Sequence, residues 1–528
     1  MSSVSLVKKF ATVGGATLAS RFLGFTREAM MAAVLGAGPV ADAFYAAFRF
    51  PNLFRRLFAE GAFNAAFVPL FSKEIEAHGV DGAKRFSEEV FGVLFTVLLG
   101  LTILMELAMP LLVRTIIAPG FIGNADKVHL TTALAFIMFP YLMCMSLAAM
   151  MSGILNSLHR YFAAAIAPVF LNVILIGVLA HALYVGMDGR TAGHYMAWGV
   201  LAAGVLQLSI VMFAVRQAGI VIGIRRPRIT PNVWRLLMLA LPAAVTGGIT
   251  QINLVIGQII ASGKPGAISV LQYADRVYQL PLGVVGIAVG VVLLPELARA
   301  LKAGHMREAD NLQNRSVEFA LFLTLPASAA LLVMSRPIVS VLYERGAFSE
   351  MTAHSVAGAL AIFGLGLPAF VMIKAFTPGF FAREDTRTPM MFAGISVALN
   401  VTLALSLFPL IAERGIATAE AAAGWTNAIL LLVTLVRRGH WGRDEGLVRR
   451  VPRLVLASAV MGGMLYWLVG HFARELGPHA HLIVKAPVLL GLIALAMTVY
   501  FGVAFAIGGA DIGMIRRNIE RGRKEPAT

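Results

Sequence analysis

Cysteine is almost missing from this chain: 528 residues contain one, Cys144. A single thiol builds no disulfide framework and no cysteine-based metal site. Set in an apolar segment, it reads as a small core residue. Charge is scarce too. Charged side chains make up 14% of the sequence, 58% is hydrophobic, and mean hydropathy is +0.79. Soluble domains carry roughly 25% charge, and a soluble core grows too slowly with length to absorb this much apolar surface. A soluble fold is therefore excluded. There is no long hydrophilic insertion, no low-complexity domain and no G-x-x-x-x-G-K-[ST] pattern, so nothing here supports ATP hydrolysis through a P-loop. The first apolar run is interrupted by Arg21, Arg27 and Glu28. That is poor for a cleavable signal and suits a retained first span.

What the chain does have is apolar length. Stretches at 10–36, 41–70, 90–113, 130–153, 162–187, 193–215, 236–262, 268–298, 317–335, 352–381, 389–411, 417–436, 453–472 and 483–508 alternate with polar or Pro/Gly punctuation. A spanning helix needs roughly 20 apolar residues. The pattern predicts an all-α polytopic membrane protein of about 14 transmembrane helices. Three stretches are long and hold two prolines each: Pro51 and Pro69, Pro281 and Pro295, Pro368 and Pro378. Proline removes a backbone bond, which a membrane helix tolerates where neighbours or a wet cavity repair the loss. These stretches are expected to be bent or broken toward an interior.

Net charge is +16, which in a soluble protein would first suggest nucleic acid. Here the charge is topological, and no nucleic-acid partner is expected. One set of alternating loops carries 28 Lys and Arg, densest near 216–235 and 437–453. The other set carries nine: Arg114, Lys127, Arg190, Lys264, Arg336, Arg345, Arg414, Arg474 and Lys485. The positive-inside rule puts the richer set, and with it both termini, in the cytoplasm.

Two blocks recur in order. Tyr45, Arg49, Pro51 and Pro69 match Tyr273, Arg276, Pro281 and Pro295, and Arg160 with Asn172 matches Arg387 with Asn400. Duplicated halves are a transporter habit. The expected division is an N-terminal lobe over 1–220, a C-terminal lobe over 221–445, and two further spans with a basic cytoplasmic tail over 446–528.

Seven basic residues remain within the spans: Arg21, Arg27, Arg49, Arg55, Arg56, Arg276 and Lys374. The intramembrane acids are Glu28, Asp42, Glu60, Glu106, Asp275 and Glu296. A charge at mid-bilayer costs ~2.5–3.5 kcal/mol on insertion scales. The first two spans set five arginines against three acids, so pairing leaves positive charge over. One reading is a cationic cavity for a phosphate-bearing ligand, since the planar guanidinium donates two parallel bonds. The other is arginines that snorkel and hold helix ends, which stays open for Arg55 and Arg56. Asp275 and Arg276 fit a local ion pair or a second approach to the cavity. Lys374, a lone buried lysine on this reading, fits a substrate contact or a group pointing into water. Asn172, Asn253 and Asn400 suit inter-helix hydrogen bonding.

At these residues the chain closely resembles a known family. SRFLGFTRE (20–28), ADAFYAAFRFPNLFRRLFAEGAFNAAFVP (41–69), APGF (118–121), GILNSLHRYFAAAIAPVFLN (153–172), YADRVYQLPLGVVGIAVGVVLLPEL (273–297), YERGAF (343–348) and FTPGFFAREDTRTP (376–389) are similar to the MurJ (MviN) family of bacterial lipid II flippases. The resemblance implies the fold of the multidrug/oligosaccharidyl-lipid/polysaccharide (MOP) exporter superfamily, with two six-helix lobes around a central cavity and a hydrophobic groove from two C-terminal helices. It implies a transporter, not an enzyme, in the bacterial cytoplasmic (inner) membrane. The substrate would be lipid II, an undecaprenyl-pyrophosphate-linked peptidoglycan precursor, moved from inner to outer leaflet for cell-wall synthesis. Partners would be lipid II, membrane lipids and other cell-wall synthesis proteins. The family's functional charges fall on Arg21, Arg27, Asp42, Arg55, Arg56 and Arg276, with Glu28, Arg49, Asp275 and Lys374 as supporting candidates. Arg49 stands where relatives often carry Lys. No catalytic residue and no cofactor are expected. The metal is unknown, and the coupling cation, or the membrane potential at ~2.3 kcal/mol per charge per 100 mV, stays open. So do a flippase for another polyprenyl-linked oligosaccharide, a multidrug/cation antiporter of the same superfamily and a membrane scaffold.

Overall fold

The computed structural model describes residues 3–55, 63–223, 225–442, 444–478 and 480–509. It is helical throughout, with no strand among the described residues. The helices are α1 (Ser3–Leu35), α2 (Pro39–Arg55), α3 (Phe63–Leu112), α4 (Ala125–Met138), α5 (Tyr141–Ser157), α6 (Tyr161–Val185), α7 (Gly189–Gln217), α8 (Pro231–Ala261), α9 (Ala267–Lys302), α10 (Met306–Tyr343), α11 (Glu350–Phe381), α12 (Arg387–Ile411), α13 (Glu413–Arg437), α14 (Glu445–His471) and α15 (Leu482–Ala506). Short polar residues start many of them: Asn124, Asp188, Thr230, Ser349 and Asp444 each accept a backbone N–H from the first turn. Such caps satisfy amides that the helix itself leaves orphaned.

The apolar stretches of the sequence are helical over most of their described length. Among the described residues, ten helical runs are long and apolar enough to cross a membrane. Arg21, Arg27 and Glu28 lie on α1, Asp42 and Arg49 on α2, and Asp275 and Arg276 on α9. Large apolar side chains such as Leu107, Tyr184, Leu410 and Ile483 lie on the outside, as lipid rather than water requires.

Of the three long stretches, two are continuous helices, and residues 56–62 of the first lie outside the described residues. α9 and α11 run on through Pro281, Pro295, Pro368 and Pro378. The interruptions fall instead at Gly79 inside α3, where φ is 66° and ψ −165°, and at Phe139–Pro140 between α4 and α5.

The chain forms two compact units, one of residues 1–269 with 345–348, the other of 270–344 with 349–528. In the first, Phe67 stacks on Phe71 and Phe86 within a core shared with Leu147, Ile154, Val211 and Val215. The turn between α1 and α2 receives the segment 345–348: Ala347 N–H donates to Ala33 C=O at 2.8 Å. In the second, Tyr278 packs on Phe363 and Phe370, and α10, α14 and α15 share a separate core around Leu454, Met461, Leu492 and Tyr500.

The repeat has a structural counterpart. α6 and α12 are each 25 residues long. Each follows or begins with its arginine, Arg160 or Arg387, and each buries its asparagine, Asn172 or Asn400.

Candidate substrate site

The site in the first unit begins on α1. Glu28 is fully buried, and a lone carboxylate there would be very costly. It is not alone. Tyr45 O–H on α2 donates to its Oε1 at 2.8 Å, and Arg27 Nη2 to its Oε2 at 3.1 Å. Arg27 Nη1 donates to Asn172 Oδ1 on α6 at 3.1 Å. Asn172 Nδ2 in turn donates to Ser20 C=O at 3.1 Å. Three helices thus fix one guanidinium. Its Nε is buried and has no hydrogen-bond partner among the described residues. Arg21, six positions earlier, is half-buried. It appears in no hydrogen bond or ion pair among the described residues. Of the two α1 arginines, Arg27 is held by Glu28 and Asn172, and Arg21 is half-buried with no hydrogen bond or ion pair among the described residues.

Asp42 behaves otherwise. It is fully buried on α2 and accepts from Lys127 Nζ at 2.7 Å, Gly266 N–H at 2.7 Å, Ser269 N–H at 3.0 Å and Ser269 Oγ–H at 2.8 Å. Its carboxylate holds the first turn of α9 and neutralises a lysine. Lys127 corrects the sequence reading: it is not a loop charge but 6% exposed in the first turn of α4, with Nζ 3.8 Å from the Phe121 ring centroid. Lys485 is likewise buried, in α15. An unusually polar first turn at Asn124 was the available signal for Lys127; nothing local marks its partner.

The remaining candidates spread out. Arg55 donates through Nε to Asn52 Oδ1 at 2.8 Å, within its own helix. Arg49 is half-buried on α2. Arg56 and Glu60 lie outside the described residues. In the second unit, Asp275 accepts from Gln279 one turn on. Arg276 is half-buried and appears in no hydrogen bond or ion pair among the described residues. Lys374 is exposed on α11, not buried. Tyr45 and Asn172, which the sequence marks only as repeat and packing residues, turn out to orient Arg27.

Chemically, the α1 cluster offers directed N–H donors and positive charge without a nucleophile. It suits holding an anion with a planar fork rather than breaking a bond. The family model described as "Lipid II flippase MurJ" matches residues 31–487. The chain belongs to the MurJ family. A member from Rhizobium meliloti (strain 1021), named "Probable lipid II flippase MurJ", is 70% identical over 519 residues, covering 98% of this chain and 97% of its own. A solved MurJ, "Lipid II flippase MurJ, inward closed conformation", superposes with a TM-score of 0.76 at 24% identity, covering 93% of this chain and 97% of that one. A multidrug resistance MATE transporter of the MOP superfamily in an inward-facing conformation superposes at 0.67 with 15% identity, over 79% and 94%. The chain thus shares its fold with both of these solved structures.

Proposed function

We propose that this chain is a flippase that carries lipid II from the inner to the outer leaflet of the bacterial cytoplasmic membrane by alternating access. The observation that carries the reading is the α1 cluster. Arg27 is oriented by Glu28 and Asn172, its Nε has no partner among the described residues, and Arg21 lies six positions earlier on the same helix with no ion pair among the described residues. A pyrophosphate supplies acceptors for Arg21 and for the remaining Nη N–H groups of Arg27. Arg49 and Arg55 add positive charge along α2, and Arg276 on α9 is a further substrate-binding candidate. Asp42 serves by holding α9 in place rather than by touching phosphate. The polyprenyl tail lies against the apolar pair α14–α15. Both termini face the cytoplasm, and the membrane potential draws the empty cationic site back toward that side.

The test is depletion of the protein in cells with lipid II scored in each leaflet. Wild type restores outer-leaflet lipid II, and Arg27→Ala does not. Rescue by Arg27→Ala at the normal rate overturns the reading.

A further inference from the structure

The two C-terminal helices are tied to α10 at both ends and in the middle. At one end Lys485, 4% exposed, donates to Ser340 Oγ at 2.9 Å and Pro478 C=O at 3.2 Å, and lies 3.6 Å from Glu344 Oε2. Glu344 is also gripped by both Arg336 nitrogens, at 2.9 and 3.1 Å, and by Ser340. At the other end Glu318 of α10, itself buried, accepts from Arg450 of α14 at 2.7 Å and from Arg315. Arg315 also pairs with Asp444, the residue that caps α14 at 2.6 Å through Leu447 N–H. Between the two ends, Tyr500 O–H of α15 donates to Phe322 C=O of α10 at 2.7 Å. The shared core of α10, α14 and α15 fills the space around it.

We infer that α14–α15 is clamped to α10 throughout the transport cycle and acts as a fixed wall, not as a gate that swings away. Sliding or tilting the pair strips Lys485 and Arg450 of their carboxylates, leaving Glu344 and Glu318 buried with fewer partners, and breaking one side of a buried pair is strongly unfavourable. It also leaves the Tyr500 hydroxyl and a backbone carbonyl unsatisfied in an apolar core. Resting on the reading that the cargo is a polyprenyl lipid, this gives the wall a task. A tail laid against α14–α15 keeps one position relative to α10 while the polar head crosses. Lys485, Glu344, Glu318 and Arg450 are then positioning residues.

A disulfide tests the clamp directly. A Cβ built on Gly462 of α14 lies 3.7 Å from Ala329 Cβ of α10, close to the ~3.8 Å mean of natural disulfides. The full-length Cys144→Ser, Ala329→Cys, Gly462→Cys protein is reconstituted in phosphatidylglycerol/phosphatidylethanolamine vesicles with lipid II, and flipping is measured oxidised and reduced. Equal rates support the clamp. Loss on oxidation with recovery on reduction overturns it. If the wild-type protein moves no lipid II at all, the functional reading falls, and the clamp is judged by distance instead. Spin labels at Leu332 of α10 and Leu490 of α15, both exposed, then report one distance with or without lipid II if the clamp holds. A second distance in the unmodified background overturns it. The same labels in Lys485→Met are expected to show that second distance, because one end is released.

Discussion

Asp42 and Lys127 stand 85 residues apart in the chain and 2.7 Å apart in space, both nearly sealed from solvent. Each is the other's reason to be there. Losing one partner of a buried pair costs about 3–5 kcal/mol, whereas apolar replacement of both is often neutral. Asp42 also accepts three further hydrogen bonds from residues 266–269. Lys127→Met is therefore expected to lower thermal stability in detergent sharply. Asp42→Leu with Lys127→Met is expected to recover only part of it, because the α9 amides stay unsatisfied. Full recovery in this double-mutant cycle would show that Asp42 acts on Lys127 alone.

Tyr45→Phe removes one hydroxyl donor from a fully buried carboxylate. Leaving such an acceptor short costs about 1–3 kcal/mol. Glu28 then leans wholly on Arg27, so the expected signature is a loss of flipping larger than the loss of stability. A variant that loses stability but flips normally when folded would place Tyr45 outside the site.

Arg27→Lys keeps the charge and discards the fork. Lysine reaches Glu28 or Asn172 but not both, with no Nε to spare. Lipid II binding is expected to fall nearly as far as in Arg27→Ala, because the two side chains are not interchangeable where several directed donors are used. Binding to lipid II in nanodiscs measures this; wild-type affinity would mean that charge alone suffices.

Gly36 closes the α1–α2 turn with φ +63°, and a Cβ there would meet Ala347 O at 2.4 Å. Gly186 has φ +68° with nothing within 4 Å. The left-handed backbone alone costs a side chain about 1–2 kcal/mol. Gly186→Ala is expected to show only that cost. Gly36→Ala adds a backbone collision and is expected to melt well below it.

Asp385, in the loop before α12, accepts from Thr388 N–H and pairs with Arg438 at 2.7 Å. The Thr388 hydrogen bonds first, and then Arg438, hold its carboxyl down at about 2. A depressed carboxyl stabilises the fold above its unfolded pKa of about 3.9 and loses that effect as pH falls through the folded value. Acid titration of thermal stability is expected to show a component lost from about pH 4 down to about pH 2. Asp385→Asn removes that component.

Spans, their order and the repeat were readable from apolar length and punctuation, because a bilayer constrains every twenty residues or so independently. The surplus of arginines in the first two spans was readable for the same reason. Partner choice was not. Lys127 looked like a loop charge because it sits at a helix start; its burial depends on Asp42 in another helix, a long-range fact no local window holds. Lys374 looked buried because its segment is apolar, yet its side chain is exposed. The prolines of α9 and α11 suggested breaks, but an intact ladder on either side lets these helices run on.

The grip on Arg27 sets how the site lets go. Glu28 accepts from Nη2 and Asn172 from Nη1, which fixes the guanidinium plane while each of these nitrogens keeps one further N–H. In the proposed cycle, an acid beside the guanidinium competes with a bound phosphate for its charge. For a carrier that repeats its cycle unloading matters as much as capture, and on that reading the buried glutamate tempers the hold.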